Sequence, residues 1–149
     1  MDPTKLTQKS SQALQDAQSA AVRYGHSEVD GEHLLLSLLE KPDDLVSRLL
    51  QRAGADTAAL RSAVEGELAR RPRVSGPGAA PGEVRVTQRL SRLLDRAEAE
   101  AKRLKDEYVS VEHLLLALLE EGSQSAGGRL LRERGITRDS FLQALTAVR

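Results

Sequence analysis

The residues best placed to do chemistry in this chain are two acid–imidazole pairs, Glu32-His33 and Glu112-His113, separated by 112 − 32 = 80 positions. An acid beside an imidazole invites a metal site. Zinc, however, needs three or four converging ligands, often two of them three or four residues apart on one helix. Neither segment supplies a second ligand at that spacing, so no metal is expected and each His reads as bonding to a neighbouring loop. The stretch Gly76 to Gly82 lacks the Lys of a phosphate-cradling loop and reads as a linker, so no nucleotide or other cofactor is expected in this chain. Ser, His and Asp all occur, but no strand–turn–helix elbow frames a nucleophile. With no strand predicted, the chain is not expected to be an enzyme. Arg70, Arg71 and Arg73 are basic, yet they sit at a helix end, where positive charge suits the helix dipole. No wider basic face or stacking aromatics accompany them, so nucleic-acid binding is only a weak alternative.

Surface recognition is what remains. Thr7 and Thr87 stand at equivalent helix starts, and Glu32 and Glu112 in equivalent first turns. Packed about a pseudo-twofold axis, they would form two related sites, each with a hydroxyl and a carboxylate beside free backbone amides. The alternative is that both pairs are caps and nothing more. Sequence leaves the two readings open.

The elements that must position these residues come from a duplication. Residues 6–41 laid over 86–121 give 16 identities in 36 positions, including Leu14/Leu94, Ala17/Ala97, Arg23/Arg103 and Val29/Val109. Such a repeat outranks other signals of fold. Its centre, Glu-His-Leu-Leu-Leu, starts at 32 and again at 112. At 100° per residue, Leu34, Leu35, Leu36, Leu38 and Leu39 cover about 200° of a helix, so this helix must be packed on two sides. Asp30 and Ser110 are its candidate caps.

Around it the pattern predicts an all-α fold of eight helices in two sets of four. The first runs from Thr4 or Thr7 to Arg23, and the leucine helix from Gly31 to Glu40, where Pro42 forces a break. A short third helix carries Leu45, Val46, Leu49 and Leu50 and closes at Gly54. The fourth, capped by Asp56 or Thr57, ends at Arg71-Pro72. The second set starts at Thr87, with its leucine helix from Ser110 to Glu121, a polar turn over Gly122 to Gly128, Gly135 mirroring Gly54, and a last helix capped by Thr137. The chain therefore divides into a first repeat (1–71), a Gly/Pro-rich joint (72–86) and a second repeat (87–149), packed as one unit.

Composition narrows the function classes. Apolar residues make up 40% and aromatics 2%, so Leu, Ala and Val must build the core. Net charge is zero, from 22 Lys plus Arg against 22 Asp plus Glu, which predicts no long-range attraction to nucleic acid or anionic lipid. Cys is absent, excluding disulfides and thiolate metal sites. No signal peptide or membrane helix is expected, and the chain reads as cytoplasmic and monomeric. The fifth helix adds a hint. Its stripe of Leu90, Leu93, Leu94 and Leu104, followed by Tyr108, Val109 and Val111, is wider than one packing face needs, and its edge could form a shallow apolar groove for unfolded segments.

The opening Met1-Asp2-Pro3-Thr4-Lys5-Leu6-Thr7, the segment Tyr24-Gly25-His26, the doubled Glu-His-Leu-Leu-Leu and the run Leu49 to Asp56 resemble the N-terminal domain of the Clp family of ATP-driven unfoldases, most of all its ClpB disaggregase branch. The resemblance covers essentially the whole chain. It implies two pseudo-twofold four-helix repeats tethered ahead of two AAA+ ATPase modules in a ring hexamer, with ATP and magnesium used by those modules. It also implies capture of unfolded or aggregated polypeptide and, in some members, docking of a folded adaptor. Thr7, Thr87, Asp106 and Glu112 match a polar cluster linked to aggregate handling in ClpB-like domains. In the ClpC branch the positions matching Thr7, Glu32, Thr87 and Glu112 bind phosphorylated arginine side chains. The overall pattern is closer to ClpB, which ranks general apolar capture first. The joint, Gly76 to Glu83, is richer in Gly, Pro and Ala than the family pattern.

Overall fold

The computed structural model describes residues 1–74 and 84–149. The described residues hold eight α-helices: α1 (Gln8–Arg23), α2 (Gly31–Leu38), α3 (Leu45–Arg52), α4 (Thr57–Ala69), α5 (Gln88–Arg103), α6 (Val111–Glu121), α7 (Ala126–Glu133) and α8 (Arg138–Val148). α1–α4 and α5–α8 form the two repeats. Each repeat opens on a threonine cap, with Ser10 N–H donating to Thr7 Oγ1 at 3.2 Å and Leu90 N–H to Thr87 Oγ1 at 3.0 Å. A hydroxyl at this position satisfies an amide that the first helical turn leaves without a partner.

The core follows from the leucine runs. Leu34, Leu35 and Leu36 of α2 and Leu114 to Leu118 of α6 are buried all round, because the two central helices pack on each other as well as on their own repeat. α1 offers α2 a face of Ala13, Ala17, Ala20 and Ala21, small enough for close approach, and Ser37 Oγ donates to the Ala13 carbonyl at 2.9 Å. α5 instead presents Leu90, Leu93, Ala97 and Ala101 to α6. The repeats are further joined through α3 with α8 and α4 with α7. Among the described residues no helix is long and apolar enough to cross a membrane.

Three expectations need correction. α2 stops at Leu38, two residues before Glu40. The Leu39 N–H is shared among the carbonyls of Leu35, Leu36 and Ser37, so the last turn tightens. Pro42 meanwhile disfavours helix at Lys41. The expected polar turn over Gly122 to Gly128 is instead a short 3-10 turn (Gly122–Gln124), after which Ser125 caps α7 and both Gly127 and Gly128 lie within that helix. Strands also occur where none was expected. β1 (Glu28–Val29) and β2 (Arg85–Val86) pair in parallel, and Leu6 bridges Val109 in the same sense. Two-residue strands are too short to leave a periodic signal.

The strand pairs reveal how the repeats are related. Val86 is the counterpart of Leu6 (86 − 6 = 80) and Val109 that of Val29 (109 − 29 = 80). The segment before α1 thus pairs with the segment before α6, and the segment before α5 with the one before α2. Each repeat lends the other its opening segment, as a pseudo-twofold axis requires. Most of the predicted joint, 75–83, lies outside the described residues. Its two flanks are tied to the α1–α2 connection: Val74 N–H donates to Gly25 O at 2.7 Å and Arg85 N–H to Ser27 O at 3.0 Å.

Candidate functional site

Two carboxylate sites and an apolar groove

Because the opening segments cross over, the pairs that meet are Thr87 with the start of α2 and Thr7 with the start of α6. In the first site Thr87 Oγ1 donates to Asp30 Oδ1 at 3.0 Å, two residues before Glu32. Glu32 is fully buried. Its Oε1 accepts from Arg71, which follows α4, and from Arg89 Nη2 of α5 at 3.2 Å. Its Oε2 accepts the Gly127 N–H at 2.9 Å, from the first turn of α7. Glu32 therefore joins both repeats, and neither oxygen is free.

Glu112, its counterpart, is provided for differently. Arg149 Nη2 reaches Oε2 at 3.1 Å and also Asp106 Oδ2 at 2.8 Å, while Oε1 is buried with no hydrogen-bond partner among the described residues. Arg71 and Arg149 play similar parts, each just past the last helix of its repeat. Burial of Asp106 works to raise its pKa, but hydrogen bonds from Arg149 and His113 outweigh this and hold the carboxyl below its usual range. Thr7 sits beside this site through its N–H, which donates to Val109 O at 3.1 Å, and Ser10 Oγ donates to the same carbonyl at 2.8 Å. The sequence reading put Thr7, Thr87, Glu32 and Glu112 in two related sites, and the resemblance set Asp106 in a polar cluster with Thr7, Thr87 and Glu112, but neither gave Arg71, Arg89, Gly127 or Arg149 as a partner of these acids. These partners come from distant elements with no spacing rule to the acids.

The two histidines complete their helix caps. His33 Nδ1 accepts the Asp30 N–H at 2.9 Å and His113 Nδ1 accepts the Ser110 N–H at 2.8 Å. Each Nε2 therefore carries the ring proton. In the second repeat it is donated to Asp106, and in the first to Nδ1 of buried His26 at 2.8 Å. Burial, then the nearby His26 and Arg71, push the pKa of His33 down to about 4. An unfolded His takes up its proton near about 6.5, so below that pH the unfolded chain binds more protons than the folded one. Stability is therefore expected to fall by on the order of 1–2 kcal/mol between pH 7 and 5 from this residue. His26→Asp, which copies the residue at the equivalent position 106, is expected to remove most of that fall. Urea midpoints at the two pH values test it, and an unchanged fall in the variant would refute the assignment.

The predicted apolar edge divides on burial. Leu90, Leu93 and Val109 are 2%, 1% and 1% exposed, so they belong to the core and correct the expectation of a groove. Their place on the inner face of α5 or under the Leu6 bridge removes them from solvent. Leu94, Leu104 and Val111 are half-buried and Tyr108 is exposed. Of the seven, Val111 lines a groove, a cavity of about 270 Å³ beside α1. Buried Ala13, Leu38 and Val46 and half-buried Leu45 supply its other apolar walls, from α1, the end of α2 and the start of α3, and its polar lining mixes Lys9 and Lys41 with Asp16, Glu40 and Asp44. Sequence missed this groove because its walls come from both repeats.

Residues 5–134 match the family described as the Clp repeat (R) N-terminal domain. The ClpB chaperone protein of Nitratidesulfovibrio vulgaris is 50% identical over 149 residues, which is 100% of this chain and 17% of the relative. A Bacillus cereus ClpB is 44% identical over the same 149 residues, again 100% of this chain and 17% of the relative. The chain thus spans about 17% of the length of the curated relatives it matches. Among solved structures, the Hsp104 N-terminal domain from Candida albicans aligns with a TM-score of 0.78 at 24% identity, covering 96% of this chain and 91% of that one. The N-terminal domain of the ClpV1 ATPase from E. coli aligns at 0.79 with 25% identity, covering 97% and 85%. A ClpV N-domain in complex with a VipB peptide aligns at 0.73 with 25% identity, covering 96% and 88%. On the family match and on the ClpB relatives, this chain belongs to the Clp repeat N-terminal domain family.

Proposed function

We propose that the chain is the substrate-recognition domain of an ATP-driven protein disaggregase, binding exposed apolar segments of unfolded or aggregated proteins transiently and handing them to a hexameric ring. ATP and magnesium would serve ATPase modules elsewhere in the longer protein. The observation that carries this reading is the apolar groove of about 270 Å³ walled by Ala13, Leu38, Leu45, Val46 and Val111. It is wide enough for one or two aliphatic side chains, and its polar rim keeps the surface soluble between encounters. The peptide-bound ClpV N-domain supports peptide capture as a use of this fold. Low affinity is expected for one copy, since several tethered copies multiply it. Docking of a folded adaptor is the alternative. Phosphoarginine capture is disfavoured at Glu32, where the chain's own Arg71, Arg89 and Gly127 N–H occupy both oxygens.

The test is NMR titration of the chain with a permanently unfolded model protein. Shifts are expected at Ala13, Leu38, Leu45, Val46 and Val111. The variant Leu45→Asp/Val111→Asp puts charge into the groove at two first-turn helix positions, where an acid suits the dipole and the fold should survive. Losing burial of two aliphatic side chains is expected to weaken binding at least about tenfold. Undiminished binding by the variant would overturn the groove. Recovery of one stoichiometric folded partner, with no shift from unfolded protein, would favour the adaptor reading.

A further inference from the structure

Resting on the reading of the apolar groove as a client site, we propose that the adjoining cleft is a carboxylate-recognising subsite, which takes an acidic side chain flanking the apolar part of the same extended segment. The cleft, of about 730 Å³, lies between α1, the end of α2 and α4. Asp16, Glu40 and Lys41 line both cavities, so a bound segment can pass from one to the other without leaving the surface.

Its charges are unbalanced. Four cations, Arg23, Lys41, Arg61 and Arg73, face three acids. Glu40 is shared between Arg61 at 3.4 Å and Arg23 at 3.8 Å, and Glu65 reaches Arg61 only at 3.9 Å. Among the described residues Lys41 and Arg73 form no ion pair, against one acid in the same state, Asp16, which accepts from Gln12 at 2.9 Å, and Arg61 Nε is buried without a hydrogen-bond partner. The cleft therefore has donors in excess of acceptors.

Arg73 is held in place by the backbone. Val74 N–H donates to Gly25 O at 2.7 Å, anchoring the residue after it. Its guanidinium lies over Gly25, with Nε 3.2 Å and Nη2 3.3 Å from where a Cβ would stand, and Gly25 has φ of +72°. Glycine at 25 thus serves both the turn and the seat of Arg73. A guanidinium and an ammonium presented together suit a carboxylate, which accepts charge-assisted hydrogen bonds from each. With zero net charge on the whole chain, the preference is local and of short range.

The test uses two labelled peptides with one apolar centre, extended at both ends by either Glu-Glu or Lys-Lys, and reads binding to the 149-residue chain by fluorescence anisotropy. The Glu-flanked peptide is expected to bind about three- to tenfold more tightly at low salt, as exposed charge pairs allow, with the difference shrinking as salt rises. Lys41→Glu/Arg73→Glu, both at exposed positions, is expected to reverse the order. Equal affinities, with both peptides still weakened by Leu45→Asp, would overturn the cleft and spare the groove. A Glu preference that survives the double variant would also overturn it, and binding of neither peptide would overturn both readings.

Discussion

Glu32→Gln is expected to destabilise the chain by about 2–4 kcal/mol, whereas Glu112→Gln at the equivalent position should lose less than about 1 kcal/mol. The two acids share a sequence context and differ in what converges on them. Glu32 is wholly buried and accepts from Arg71, Arg89 and the α7 backbone, so neutralising it leaves two cations to share Asp30, at 3.8 and 3.3 Å, with Glu67 only 3.9 Å from Arg71. Glu112 has one cation, Arg149, which also holds Asp106 at 2.8 Å and so keeps an acid partner when Glu112 is neutralised. For a chain of this length the first loss corresponds to a drop of about 5–15 °C in the unfolding midpoint. Circular-dichroism melts of the two variants read the difference. Equal losses would mean that the Glu32 cluster does not hold the repeats together.

Gly128→Ala should be comparably severe. A Cβ at that position would stand 2.1 Å from Gly122 O and 2.9 Å from Gly122 C, both main-chain atoms that cannot swing aside. Gly122 itself ends α6 with φ of +55°, so the shift would have to be taken by α7 as a whole. That movement would also draw the Gly127 N–H away from Glu32. The expected cost is about 3 kcal/mol, more than the roughly 1 kcal/mol that Ala gains over Gly as a helix former. Gly66→Ala is the control. It lies inside α4, where a Cβ would meet only Arg70 Nη1 at 3.6 Å, and it should stabilise by about 0.5–1 kcal/mol. Chemical denaturation of both variants checks the opposite signs, and a neutral Gly128→Ala would show that α7 is not tightly seated on α6.

Much of the fold was legible because the signals behind it are local. Threonine at 7 and 87 caps a helix through an amide three residues on, whatever lies elsewhere in the chain. The histidines at 33 and 113 close their caps in the same local way. Two leucine runs 80 positions apart need burial on nearly all sides, and packing on each other is how a short chain provides it. The candidate sites were less legible. Leu90 and Leu93 carry the same sequence signal whether a stripe is all core or core with a free edge, and burial alone separates the cases. The groove that does form takes Ala13, Leu38 and Val46 from one repeat and Val111 from the other.

By itself the sequence determined the helices, their caps and their twofold duplication, since propensity, periodicity and capping act over a few residues. Tertiary structure alone decided that Glu32 would be closed off by two arginines and an amide while Glu112 kept an oxygen with no partner among the described residues. It also decided that a groove floored by Ala13, Leu38 and Val46 would form beside α1, while Leu90 and Leu93 of α5 went into the core. The physical reason is the crossing of the opening segments between repeats, which brings together residues whose separation along the chain carries no pattern.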